Sequence, residues 1–267
     1  MTFGERLAAA GERYGRLCVG IDPHASLLHS WGLQDSVEGL RDFSRRCVEA
    51  FSGHVALVKP QVAFYERFGA HGFMVLEETI ASLRETGTLV VADAKRGDIG
   101  STMAGYAEAW LGETSLRSDA VTVSPYLGVG ALKPVFDEAQ KHEAGVFVLG
   151  ATSNPEAVAF QSQRLENGKT VAQYMVDECA ALNVGETVGS VGVVVGATLE
   201  NPPVLDALNG PVLMPGVGAQ GGTADDVARI AGKNFSNVFP SVSRSVLAAG
   251  PDVRDLRKHA IDQAKQY

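Results

Sequence analysis

Within VVADAKRGDIGST, Val90 to Thr102, an apolar run of the kind that lines a core passes directly into Asp93, Lys95 and Asp98. Side chains alternate across a strand, so Val91, Asp93 and Lys95 share one face while Val90, Ala92 and Ala94 share the other. Opposite charges therefore sit side by side at the carboxyl end of a strand. The pairing is either a structural ion pair or the charged part of a reaction site, and what the rest of the chain brings to the same place decides between them.

Two more charges occupy equivalent positions. The run LCVGI (17–21) ends at Asp22, and VALVK (55–59) ends at Lys59. Singly, each reads as a rim salt bridge or a helix-cap carboxylate. Together, ionisable groups of alternating sign from neighbouring strands are costly to desolvate unless the site uses preorganised charge.

A second pattern is MPGVGAQGG, 214–222, in which Gly216, Gly218 and Gly221 match G-x-G-x-x-G. A dinucleotide-binding reading requires an acidic residue about 20 positions on. The chain there reads SNVFPSVSR, without a carboxylate. In a barrel the same glycines follow the seventh strand, where a backbone-lined phosphate site is common. Gln220 has an amide to donate there, and the TADDVAR segment beyond it is placed to lend helix amides. Ser243 and Arg244 end the next apolar run, and arginine offers planar paired donors suited to phosphate, although it is equally at home on a surface. After the fifth run, Ser153 in ATSNP either bonds a polar ring edge or caps the turn before Pro155.

The elements that must hold these residues are legible as eight β-rich runs: 17–21, 55–59, 89–95, 120–124, 145–150, 191–196, 211–216 and 237–242. Helical periodicity fills the intervals, as in 35–51, 72–87 and 223–233. Strands buried on both faces and alternating with helices imply a parallel sheet, and eight such units in 267 residues favour a single (β/α)8 TIM barrel over residues 1–267. A doubly wound open sheet is the alternative. One connection breaks the rhythm, an insert at 152–170 after strand 5, of a length that usually marks a functional cover or a local excursion.

Composition narrows the function. A net charge of −8 predicts no general attraction to nucleic acid or to an anionic membrane, so an anionic ligand must be caught by local positive groups. Cys18, Cys47 and Cys179 have neither the number nor the spacing of a disulfide framework or zinc knuckle, and a reducing, cytoplasmic setting is expected. Cys18 reads as a core thiol. The six histidines show no ligand spacing and no Ser-His-Asp order is evident, so neither a metal site nor nucleophilic catalysis is expected. The amino terminus lacks the apolar stretch of a signal peptide, and the longest apolar run, 191–197, is too short to span a bilayer.

The order of these features resembles the orotidine 5′-phosphate decarboxylase family: D-x-K-x-x-D in ADAKRGDIGST, a strand-ending lysine before it, then PGVGAQGG and SRS. The likeness runs from Asp22 to Arg244, and the length, the TSNP stretch and the insert are similar to a longer bacterial subgroup. Ser243 departs from the pattern, since many members have glycine before the phosphate-binding arginine. The resemblance implies decarboxylation of orotidine 5′-phosphate to uridine 5′-phosphate, without metal or cofactor. It further implies a charged network of Lys59, Asp93, Lys95 and Asp98, with Asp98 and Thr102 contributed to the partner's site of a homodimer. By the same resemblance Asp22, Lys59 and Thr102 meet the ribose and Ser153 reads the pyrimidine. Gly218, Gln220, Gly221, Ser243 and Arg244 hold the phosphate, and Lys95 acts at C6.

Two rival readings remain. Magnesium-dependent sugar-phosphate decarboxylases and aldolases of the same superfamily share D-x-K-x-x-D but typically carry an acidic residue where Lys59 stands, and a lysine there repels a divalent cation. A catalytically silent nucleotide-binding barrel is disfavoured because every charged position of the motif is intact.

Overall fold

In the computed structural model, which describes residues 1–267, each of the eight apolar runs is a strand. They are β1 (Cys18–Ile21), β2 (Leu57–Pro60), β3 (Leu89–Arg96), β4 (Ala120–Val123), β5 (Gly145–Ala151), β6 (Val191–Val195), β7 (Val212–Pro215) and β8 (Val238–Val242). All neighbours pair in parallel, and β8 returns to β1 through Cys18↔Ser241 and Val19↔Val242. That last pairing closes the barrel. A doubly wound sheet would leave two open edges, so the alternative architecture is excluded.

The strands carry Val, Ile and Leu on both faces because both faces are covered. Outward residues such as Val19, Val58, Val90, Ala92 and Val121 pack against the surrounding helices in one continuous core. Helices Val37–Phe51, Gly69–Glu85 and Ala224–Ala231 occupy the segments that periodicity indicates, with ends shifted by a few residues. Ser36 sets the start of the first by accepting a hydrogen bond from the Gly39 amide.

Inward residues form a second, smaller core. Cys18, Leu57, Leu89, Val91, Ala120, Phe147, Leu213 and Phe239 fill the lower barrel. Helix Phe3–Tyr14, started by a Thr2/Glu5 capping box, presses Phe3 and Leu7 into the same cluster from below. The Phe3 and Phe147 rings meet edge to face at 6.0 Å. Gly145 is obligatory beneath them, because a Cβ there would lie 2.1 Å from the Phe3 ring. With the floor sealed by apolar side chains, polar inward residues have only the carboxyl end of the barrel to occupy.

The insert is a local excursion with structure of its own. It contains a 3₁₀ turn at Pro155–Ala157, a short helix at Val158–Gln161 and an Arg164↔Thr170 bridge. Thr170 then caps helix Val171–Leu182 through the Gln173 amide. No helix in the chain is long and apolar enough to cross a membrane.

Candidate active site

The inward row of β3 passes from Val91, in the lower core, to Asp93, which is 7% exposed at the floor of an open cleft. Four donors converge on this carboxylate. Lys59, from the end of β2, places Nζ 2.7 Å from Oδ2, and Gln61 donates from Nε2 to the same oxygen at 2.9 Å. Lys95 places Nζ 2.5 Å from Oδ1, and Thr122 of β4 donates its hydroxyl to that oxygen at 2.9 Å. Each oxygen thus accepts twice, which uses the usual lone-pair capacity of a carboxylate.

The charges hold one another in the ionised state. Burial raises the Asp93 pKa, but the adjacent Lys59 and Lys95 ammonium groups overcome it and keep the carboxyl well below its ordinary range. Burial lowers that of Lys59, and here Asp93 and then Asp22 outweigh it, so Lys59 stays above the usual lysine range. At neutral pH the cleft floor is a carboxylate between two ammonium groups.

Lys95 does not reach this position by plain alternation. Val91↔Ala120 and Ala92↔Val121 pair in register, but the next pair is Arg96↔Val123. Asp93, Ala94 and Lys95 therefore stand opposite Thr122 alone, a bulge of the kind that re-aims side chains beside active sites. Lys95 takes a left-handed φ of 49°, which costs a non-glycine residue roughly 1–2 kcal/mol.

The remaining strand ends complete a cleft of about 580 Å³. At β1, Asp22 lines it with a buried Oδ1 that has no hydrogen-bond partner, and Ser241 of β8 carries a second unpartnered buried oxygen. Gly20 also lines it, and a Cβ there would lie 2.8 Å from Ser243 Cβ, so glycine at 20 accommodates serine at 243. Ser243 and Arg244 follow β8. Lys59 and Lys95 are both paired with Asp93, whereas Arg244 has no carboxylate partner and faces the cleft free. Across the mouth, Ser153 after β5 donates to Gln220 Oε1 after β7 at 3.1 Å. The His24 and Phe64 rings meet at a tilt, centroids 4.1 Å apart, on the β1–β2 side.

Not every residue singled out in the sequence lies in this cleft. Asp98 accepts a hydrogen bond from the Ile99 amide at 2.8 Å and makes no contact with Lys95 in its own chain. Thr102 is exposed on helix Gly100–Leu111. Gly218 and Gly221 adopt left-handed φ values of 69° and 91° and turn the loop, while Gly216, Val217, Ala219 and Gln220 form the lining. The TADDVAR helix does not line the cleft: Thr223 and Asp226 close a capping box on its first turn, which also carries Asp225. Cys18 is sealed in the lower core, where burial pushes its thiol up to about 12. No three histidine, cysteine or carboxylate side chains converge as metal ligands.

Gln61, Thr122, His24 and Phe64 are cleft residues that the motif reading missed. Two of them carried a signal. Gln61 is two residues beyond Lys59 and Thr122 is two beyond the inward Ala120, so alternation alone places both in the polar upper layer.

Residues 15–259 match the model of the orotidine 5′-phosphate decarboxylase / HUMPS family. Over 271 aligned residues the chain is 62% identical to the orotidine 5′-phosphate decarboxylase of Corynebacterium efficiens, covering 100% of this chain and 97% of that one. It is 56% identical to that of Salinispora arenicola, covering 97% and 94%. A crystal structure from Streptomyces avermitilis, provisionally assigned the same activity, superposes with a TM-score of 0.96 at 54% identity and covers 99% and 94%. Leishmania donovani OMP decarboxylase superposes with a TM-score of 0.77 at 29% identity over 99% and 98% of the two chains.

Proposed function

This chain belongs to the orotidine 5′-phosphate decarboxylase / HUMPS family and decarboxylates orotidine 5′-phosphate to uridine 5′-phosphate, and we propose that Lys95 is the residue that stabilises and protonates C6. The observation that carries this assignment is the Asp93 carboxylate held between Lys59 and Lys95 at the cleft floor.

The reaction breaks the bond from C6 to the carboxylate carbon and releases CO2. The electron pair stays on C6, with no adjacent carbonyl to delocalise it, so stabilisation must come from fixed charge in the protein. The Lys95 ammonium supplies that charge, then gives its proton to C6 and is reprotonated from solvent. Asp93, with every lone-pair site occupied, orients Lys95 and faces the departing carboxylate. Each tenfold in rate is about 1.4 kcal/mol, so one lysine does not account for a large acceleration. Contacts remote from C6 contribute by orienting the ring.

Those contacts follow from the cleft. The Asp22 carboxylate, which lines the cleft, accepts a ribose hydroxyl, with Lys59 beside it. Ser153 reads the pyrimidine edge, and its bond to Gln220 links the base end of the cleft to the phosphate end. Gln220 and Arg244 hold the phosphate, with Ser243 next to them and Gly218 and Gly221 shaping the loop.

We read residues 1–267 as one barrel domain working as a cytoplasmic homodimer, in which Asp98 and Thr102 enter the partner's site. Three observations support this reading. Asp98 has no role in its own cleft. Ile99, the next residue, exposes 61% of its surface, and Tyr126 and Leu127 in the loop after β4 expose 77% and 53%, large apolar side chains that suit a protein partner. All three cysteines are free, as a reducing compartment requires.

The magnesium-dependent reading is disfavoured by Lys59 itself, whose ammonium occupies the Asp93 oxygen a cation would need. Turnover of orotidine 5′-phosphate with excess chelator tests the assignment. Undiminished turnover is expected. Loss reversed by magnesium would favour the metal-dependent chemistry, and binding without turnover would favour a silent barrel.

A further inference from the structure

We propose that Thr122 is a positioning residue for Lys95: its hydroxyl accepts the Lys95 backbone N–H and donates to Asp93, fixing both the main chain and the counter-ion of the proton donor. The proposal rests on the reading of Lys95 given above and concerns how that lysine is aimed.

The hydroxyl sits at the centre of the β3 bulge. It lies 3.0 Å from the Lys95 nitrogen and 2.9 Å from Asp93 Oδ1, and Thr122 is 1% exposed. Its one proton goes to the carboxylate, which leaves its lone pairs for the amide, so the two bonds have a fixed direction. Three residues of β3 face this one residue of β4, so the bulge has a single side chain to register against. Lys95 holds a left-handed φ of 49°, a conformation that persists in a non-glycine residue only where its surroundings over-determine it. Here one bond fixes the Lys95 main chain and the other fixes the oxygen that its Nζ contacts at 2.5 Å. Removing the hydroxyl frees both ends of the same side chain while leaving Lys59 and Gln61 on the other oxygen of Asp93.

The test compares Thr122→Val, nearly isosteric and without the hydroxyl, with Thr122→Ser, which keeps it. A small misplacement of a reacting group lowers rate by about a hundredfold, so kcat of Thr122→Val for orotidine 5′-phosphate should fall by about that factor, with KM and uridylate binding changed by less than about threefold. Thr122→Ser should recover most of kcat. If Thr122→Val is poorly folded, Thr122→Ala against Thr122→Ser makes the same comparison, since both lack the γ-methyl and only Thr122→Ser keeps the hydroxyl. The proposal is overturned if folded Thr122→Val keeps kcat near wild type, or if Thr122→Ser is impaired as much as Thr122→Val or Thr122→Ala. Lys95→Ala is the control: an inactive Lys95→Ala beside a normal Thr122→Val removes this inference alone, whereas an active Lys95→Ala removes the assignment beneath it.

Discussion

Lys95 contacts, at 2.5 Å, the carboxylate of a residue only two positions before it in the same strand, Asp93. Two side chains so close in sequence meet because the strand bulges between them, and the contact holds Lys95 in the wall of the cleft. The same carboxylate binds Lys59 on its other oxygen. Removing any member therefore changes the charge balance for the other two.

The pH dependence of stability follows from that balance. Asp93 is depressed, so its contribution is complete above the ordinary carboxylate value near 3.9 and is lost as pH falls toward its folded value. Lys59 is raised, so its contribution is complete below 10.5 and is lost as pH rises through its folded value. Between about pH 5 and 9 neither group adds a slope. Denaturant unfolding of wild type and Asp93→Asn should show a difference that does not shrink as pH falls across that window and shrinks only below about pH 4. A difference that already shrinks between about pH 8 and 6 would mean that Asp93 titrates in the neutral range.

Arg244 has no carboxylate partner in the chain, so its truncation should register on the ligand alone. Arg244→Ala is expected to weaken orotidine 5′-phosphate binding by a few kcal/mol, the usual cost of losing a charged hydrogen bond to phosphate, and to leave the phosphate-free nucleoside almost unaffected. Steady-state kinetics with the two substrates measure this directly. Equal impairment of both would make Arg244 a structural residue.

The barrel was legible because its strands are apolar on both faces and recur between amphipathic segments. The ends of those strands gave Asp22, Lys59, Asp93 and Lys95, all of which line one cleft. Gln61 and Thr122 were less visible because each is an uncharged residue inside or just after a strand, and the motif reading followed charge. The β3 bulge left no mark at all: Lys95 carries no glycine-like signal for its left-handed φ, and its backbone is fixed by a residue 27 positions away. The structured insert was also hidden, since Val158–Gln161 is too short to show periodicity.

Asp98 supplies a test of the shared site. Lys95→Ala and Asp98→Asn homodimers are each expected to be nearly inactive. If Asp98 acts in trans, a mixed dimer has one site with both defects and one with none. Random exchange of equal amounts makes about half the dimers mixed, so activity should return to about a quarter of wild type for independent sites. No recovery, with exchange verified by mass spectrometry, would place Asp98 in its own subunit's network.

The most direct test of the central claim is Lys95→Ala, measured both for turnover of orotidine 5′-phosphate and for binding of a uridylate-like inhibitor. In the proposed reading, affinity comes from the phosphate and ribose contacts at Arg244, Gln220 and Asp22, while Lys95 acts only at C6. Turnover should be lost by many powers of ten while inhibitor binding weakens by no more than about tenfold, since only a transition-state interaction has been removed. Near-normal turnover in a folded Lys95→Ala protein would contradict the assignment of Lys95 as the group that stabilises and protonates C6.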